Sequence, residues 1–496
     1  MRHRAIVALL VAWSLIICTS STAATSSRVA FGVADDHGKY ADDGGASFYD
    51  ELAAAGLTTD RFTVTWDPAA PQTIPERGFL DRAIRTAAQH GVTVVLSVRP
   101  ARASAIGESL ARAKQFAAYL GLVARAYPAV DTIIVGNEPN QPRFWQPQFV
   151  GGRFVAGRDY ERMLALAYDA LKQANPSVAV AGAAISGRGN DDPAATSNGS
   201  TSPLRFIHDM GVAYRASKRA RPLMDVFSFH PYPRSSLDSL AKGLDWPMAG
   251  YANLDRVKQA LWDAFHGTAQ ETTANGLGIM IDEVGWQVRV PQNASGYTGT
   301  ENVPVTTEAH QAAVYGQLVR SAVCDPSIRA LLFMPFVDET DLSGLQSGLE
   351  RADGSKRPSY YAVKAAIAAT QGRCLGRAVS WRPATSVIGV HASFPGLALV
   401  RTVKQRAWSF RVRTGEDARY VAAIVPLPAR TALRARGPAA RPVLTARGVV
   451  KAEWTPLVQF PRESLSPGRY VYRIRLSAVL APSRTSTIVS HPFLVR

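Results

Sequence analysis

Cysteine is scarce in this chain, with three in 496 residues, so a four-thiolate metal or iron–sulfur site is excluded. Several short catalytic signatures are also missing. No two histidines stand four apart, which removes a helical zinc-ligand pair, and neither a Gly-x-Ser-x-Gly elbow nor a phosphate loop is present. Apolar runs long enough to matter for a membrane are absent beyond the start of the chain. There Arg2 and Arg4 precede an apolar stretch over 5–18, shorter than the roughly 20 residues that a bilayer span needs. Thr22, Ala23 and Ala24 then supply a small-x-small cleavage signal. Residues 1–24 read as an export signal, cleaved near Ala24, against the alternative of a retained anchor. Ile17 stands where a lipobox before Cys18 would place a small residue.

Without the signal, Cys324 and Cys374 are the remaining cysteines, which allow one pairing in an oxidising compartment. A disulfide is expected, with two buried free thiols as the alternative. Acidic residues are scarce in one region. Residues 378–496 hold 19 Lys and Arg against 4 Asp and Glu, a net of +15, whereas 25–377 hold 35 of each. Nearly all of the whole-chain charge of +17 therefore belongs to the tail, with Arg2 and Arg4 supplying the rest. Nucleic acid is not the expected partner, since the tail has no recognition motif and export conflicts with that role. An anionic cell wall or membrane surface is; the alternative is a solubilising arginine-rich face. A secreted monomer is expected.

What is present is a regular alternation. Short apolar runs over 29–33, 61–66, 93–98, 132–136, 178–183, 225–229, 278–281 and 330–333 alternate with amphipathic stretches, the last over 360–369. Eight strand and helix units within 25–375 predict a (β/α)₈ TIM barrel. A doubly wound open sheet fits less well, because Asp35, Asp36 and His37 stand where a glycine-rich loop would follow the first strand. After Cys374 the pattern becomes short β-rich runs parted by Pro and Gly, so 378–496 reads as a small all-β sandwich. Residues 470–476 alternate with period two, and 487–494 could form its closing strand.

In such a barrel the chemistry lies where the strands end. Strand four ends in Asn137 and Glu138, and strand seven in Glu283. These strands face each other across the mouth, which suits a pair of carboxyls acting on one glycosidic bond. Singly, each glutamate reads equally well as a solvated strand-end charge. No cofactor and no metal is called for.

With Gly136, Asn137, Glu138 and Pro139, then Glu283, Val284, Gly285 and Trp286, the chain resembles glycoside hydrolase clan A, families 5 and 39 above all. The closing segment, Gln346 to Leu349 and Ala352 to Pro358, belongs to the same likeness, which covers 29–372. The resemblance implies Glu138 as acid/base and Glu283 as nucleophile, with Asn137 donating to the sugar hydroxyl beside the anomeric carbon. It implies that Tyr232 bonds the nucleophile, that His230 lines the sugar site, and that Arg61 keeps Glu283 ionised. The clan's strand-eight tryptophan is missing, and Phe336 is the candidate to replace it. Trp66, Trp286, Trp145 and Trp246 are candidates for stacking on sugar rings, whereas Trp262 reads as core. Transglycosylation with the same residues and a non-catalytic carbohydrate-binding wall protein are the alternatives.

Overall fold

A computed structural model of the chain describes residues 28–107, 109–291, 294–394, 399–400, 408–428 and 441–495; the export signal expected over 1–24 lies outside them. Eight strands close a parallel barrel: β1 (Ala30–Ala34), β2 (Thr59–Trp66), β3 (Thr93–Pro100), β4 (Thr132–Val135), β5 (Ala179–Ser186), β6 (Val226–His230), β7 (Gly278–Val284) and β8 (Ile328–Phe333). β8 returns to β1, pairing Ala30 with Ala330 and Val33 with Phe333. Around it lie α1 (Ala46–Ala55), α2 (Arg77–Gln89), α3 (Leu110–Ala126), α4 (Ala156–Ala174), α5 (Pro203–Ser217), α6 (Leu254–Phe265), α7 (Glu308–Ala322) and α8 (Pro358–Thr370). This is the expected barrel, and each predicted strand overlaps one of its eight.

Local sequence explains where helices begin. The Ser109, Ser202 and Thr307 side chains each accept from a backbone N–H of the first turn, contacts worth about 1 kcal/mol apiece. Pro203 and Pro358 occupy first-turn positions whose N–H would have no partner in any case.

The period of two along each strand makes two apolar layers. Val95, Ile134, Ala181, Met280 and Ala330 fill the barrel interior. Phe62, Val64 and Trp66 face outward into the larger core beneath the helices. On β2 the inner face therefore belongs to Arg61 and Thr63, and on β3 to Val95, Ser97 and Arg99.

After Cys374 the chain forms two sheets. His391–Ser393, Ser409–Arg413 and Leu457–Gln459 make the smaller. The larger is built on Gly468–Ala478, flanked by Ala418–Pro426 on one side and by Thr485–Val489 and Phe493–Val495 on the other. Phe410 and Val412 from one sheet pack in a common core with Ile424, Tyr472 and Ile474 from the other. The run over 487–494 is two strands and not one, because Pro492 has no N–H for the ladder. No helix among the described residues is long and apolar enough to cross a membrane.

Cys324, just after α7, and Cys374, just after α8, are disulfide-bonded with Cα atoms 4.5 Å apart, as expected. Closing a 50-residue separation is worth about 4 kcal/mol in the chain-entropy account. Reduction is expected to lower the unfolding free energy by about that amount. The native protein should also take up no alkylating agent at either residue unless reduced. Ready labelling of both, or a denaturation midpoint indifferent to reductant, would contradict this.

Candidate active site

Two irregularities in the barrel aim the carboxyls. Between Ile281 and Val284, β7 advances three residues while β8 advances two, from Leu331 to Phe333. A bulge of this kind breaks the alternation of faces. It lets the consecutive residues Asp282 and Glu283 both reach the barrel mouth. β5 carries a second extra residue between Ala183 and Ile185 against β6, with Ala183 at φ 78° and Ala184 at φ 44°. The Ala184 carbonyl accepts from the Glu138 N–H (2.8 Å), and Glu138 itself has φ 37°. A side chain in the left-handed region costs about 1–2 kcal/mol. Tyr160, on α4, holds the arrangement, donating to the Val135 carbonyl (2.6 Å) and accepting from the Ala183 N–H (2.9 Å).

Around Glu283 the contacts are dense. Arg61 Nη1 donates to its Oε1 (2.8 Å) and the Tyr232 hydroxyl to its Oε2 (3.2 Å). Arg61 Nη2 reaches Ser97 Oγ (2.9 Å) and Asn137 Oδ1 (3.0 Å), which leaves the Asn137 amide N–H groups available to another acceptor. Arg61 Nε lies 3.4 Å from Asp282 Oδ2 in an ion pair without hydrogen-bond alignment. His230 joins the carboxyls: Nδ1 stands 3.1 Å from Glu138 Oε1 and 3.5 Å from Glu283 Oε2, and Nε2 stands 3.2 Å from Asp282 Oδ2. Ser228 donates to the other oxygen of Asp282.

Electrostatics follow from burial and these partners. Burial opposes charge on His230, but Glu283 and Asp282 outweigh it and raise the imidazole to about 10. Burial would raise Asp282, yet His230 and Arg61 pull it below the usual carboxylate range. The Tyr232 hydroxyl is driven up by burial and then by Glu283 and Glu138, so it keeps its proton and donates. Arg61 and His230 together balance Asp282 and Glu283. The set is neutral when Glu138 carries a proton. Glu138, His230 and Glu283 bring ligand-type atoms within 4.8 Å of one another, a spacing that a cation could bridge. Both ring nitrogens of His230 already face carboxylates, Nδ1 towards Glu138 and Nε2 towards Asp282, an arrangement that fits a hydrogen-bonded carboxyl pair.

The structure thus brings Glu138, Glu283, Asn137, Arg61, His230 and Tyr232 together. It does not bring the expected aromatics with them. Trp66 is fully buried on the outer face of β2 against Phe116, with ring centroids 5.3 Å apart. Trp286 is 1 % exposed, and its Nε1 donates to the Asp238 carbonyl. Phe336 is fully buried against Phe48 and Tyr360, and its N–H donates to Asp35. None of the three offers a ring face to a sugar. Met334, Tyr232 and Phe144 line the cleft instead. Trp145 is buried too, and Trp246 lines a separate cavity between the barrel and the β-domain. Asp35 and Asp36 are tied into the fold, accepting from the Phe336 and Thr63 N–H groups respectively.

Sequence reasoning passed over Asp282, Ser97, Arg99 and Arg188. A signal existed for the first three: a polar residue on an inward-facing strand position requires a partner. Asp282 is fully buried.

No family model matches the chain, and no curated protein matches it. Solved structures similar to it include a family 39 glycoside hydrolase from the gut symbiont Bacteroides cellulosilyticus WH2, at 14% identity over 91% of this chain and 81% of that one, with a TM-score of 0.47. Another is a GH39 beta-xylosidase from Caulobacter crescentus, at 14% identity over 80% of this chain and 82% of that one, TM-score 0.47. A third is GH5_18 from Streptomyces cattleya in complex with GlcNAc, at 17% identity over 76% of this chain and 85% of that one, TM-score 0.48.

Proposed function

We propose that this chain is a retaining glycoside hydrolase with Glu138 as acid/base and Glu283 as nucleophile. The observation that carries the reading is the approach of one oxygen from each carboxyl to within 4.8 Å, in a network that fixes Glu283 through Arg61 and Tyr232. Retaining enzymes hold their carboxyls about 5–5.5 Å apart, whereas inverting ones leave about 6.5–9.5 Å for a water.

In the first step Glu283 attacks the anomeric carbon as the bond to the leaving oxygen breaks, and the Glu138 proton goes to that oxygen. A glycosyl ester on Glu283 results. In the second, Glu138, now a carboxylate beside the charged His230, takes a proton from water, whose oxygen attacks the anomeric carbon and releases Glu283. Asn137 offers its amide to a neighbouring sugar hydroxyl.

The test begins with a panel of polysaccharides and aryl glycosides, scored by reducing ends. On the substrate so found, NMR of the first product should show retained anomeric configuration, and a fluorosugar should label Glu283. An inverted first product, or an adduct on another residue, rejects the mechanism.

The chain is further proposed to act outside the cell, with its basic β-domain holding it on anionic surfaces. Retention on isolated cell walls should then fall steeply between low and moderate salt, as screening shortens the reach of exposed charge to about 10 Å at 0.1 M. Retention that ignores salt rejects this role.

A further inference from the structure

Arginine is distributed unevenly around the barrel mouth. Residues 25–377 balance in charge, yet the cleft of about 990 Å³ that holds Glu138 and Glu283 is lined by five arginines and no lysine. Two of the five are committed within the chain. Arg61 pairs with Glu283, and Arg234 with Asp245 at 2.5 Å. Arg99, Arg143 and Arg188 have no carboxylate partner among the described residues.

Arg99 is the sharpest case. It ends β3 on the inner face, in phase with Ser97, and is half-buried. Its guanidinium carbon lies 5.9 Å from the centre of the Phe144 ring. Burial, then the charges of Arg61 and Arg143, work against its own charge and outweigh Asp36 and Glu283, which favour it without pairing with it. A guanidinium drawn out of water beside like charges is destabilising unless an anion meets it. Arg188 stands on the Glu138 side of the cleft wall, exposed to solvent, with Glu138 favouring its charge. One of its nitrogens donates to the Pro233 and Arg234 carbonyls; the rest of the fork has no partner among the described residues.

We infer that the substrate is an anionic glycan, with a carboxylate or sulfate on the rings flanking the scissile bond received by Arg99 and Arg188. The guanidinium fork matches a planar or tetrahedral oxyanion with two parallel hydrogen bonds, a geometry that lysine cannot supply. Glu138, Glu283 and Glu339 line the same cleft, but none of them pairs with Arg99, so a neutral sugar would leave this half-buried guanidinium without an anion in contact. This inference rests on the glycoside hydrolase reading for the position of the scissile bond, but its test is separate.

The test is equilibrium binding to E138Q, which should hold substrate with slow turnover, and to E138Q carrying R99Q and R188Q as well. The probes are short oligomers of galacturonate, glucuronate and mannuronate, each beside its carboxyl-reduced twin, and a chondroitin 4-sulfate tetrasaccharide beside its desulfated form. At least one acidic probe should bind about 10-fold or more tighter than its neutral or desulfated twin, the scale of one charge-assisted contact. R99Q with R188Q should remove that preference while leaving the uncharged twin within about 2-fold. A preference that follows sulfate identifies ester sulfate as the anion, and one that follows the carboxyl identifies a uronic acid. The inference is overturned if acidic probes do not bind, if they bind no better than their twins, or if the preference survives both substitutions because the basic β-domain supplies it. Reducing-end release by the unmodified protein is read independently. Hydrolysis of neutral glycans alone keeps the glycosidase and rejects the anionic substrate. Charge-selective binding without hydrolysis does the reverse.

Discussion

Removing the Glu283 carboxylate, as E283A, is expected to lower turnover by about 10⁴-fold or more, the scale seen when a covalent nucleophile is deleted. That corresponds to about 5.5 kcal/mol of lost transition-state stabilisation. The loss alone would not assign the role, since any residue bonded to Arg61 could matter structurally. Added azide makes the distinction. In E283A a small anion can occupy the space of the lost carboxylate, attack the anomeric carbon and give a glycosyl azide of configuration opposite to the substrate. In E138A the ester on Glu283 still forms from substrates with a good leaving group, and azide then attacks from the other face to give the retained configuration. The two variants should thus yield opposite anomers. E283A should remain folded, because Arg61 keeps Ser97, Asn137 and Asp282 as partners. Azide products of the same configuration from both variants would refute the assignment of roles.

The barrel was legible because its signal is repeated eight times, and an error at one strand end does not change the count. The carboxyl pair was legible because both glutamates sit at strand ends. What could not be read was the bulge in β7. With strict alternation Asp282 and Glu283 would face opposite ways, and nothing in Gly278 to Val284 marks the extra residue. The tryptophans are a different matter. Arg61 and Trp66 are five positions apart on one strand, so if Arg61 faces the interior then Trp66 faces the helices. That inference was available from the sequence, and it excludes Trp66 from the sugar site. The same parity puts Arg99 beside Ser97, facing inward. Phe336, three residues beyond β8, has no such constraint; its burial depends on Asp35 capturing its N–H, a contact between residues 301 apart.

The second large effect is expected far from the chemistry. Arg484, in the β-domain, is 3 % exposed. It forks onto Glu416, which is 1 % exposed, and also pairs with Asp263 of the barrel helix α6 at 3.1 Å. Burial pushes Asp263 up, with Arg484 as the chief opposing influence. Replacing Arg484 by Met leaves two carboxyls facing each other without a cation, one of them fully desolvated. Breaking a buried pair on one side costs about 3–5 kcal/mol, far more than an exposed bridge is worth, about 0–1 kcal/mol. R484M should therefore lower the denaturant midpoint of the β-domain transition by that equivalent. A double substitution, R484M with E416L, should recover most of the loss, since an apolar pair of similar volume often matches a buried ion pair. Turnover by the folded protein should not change. α6 runs back from the mouth towards the opposite end of the barrel, and Asp263 lies in its last turn, remote from Glu138 and Glu283. A loss below about 1 kcal/mol would place the bridge among the exposed kind. A fall in kcat at temperatures where R484M stays folded would mean that the β-domain supports the cleft, against its role as a separate surface-binding module.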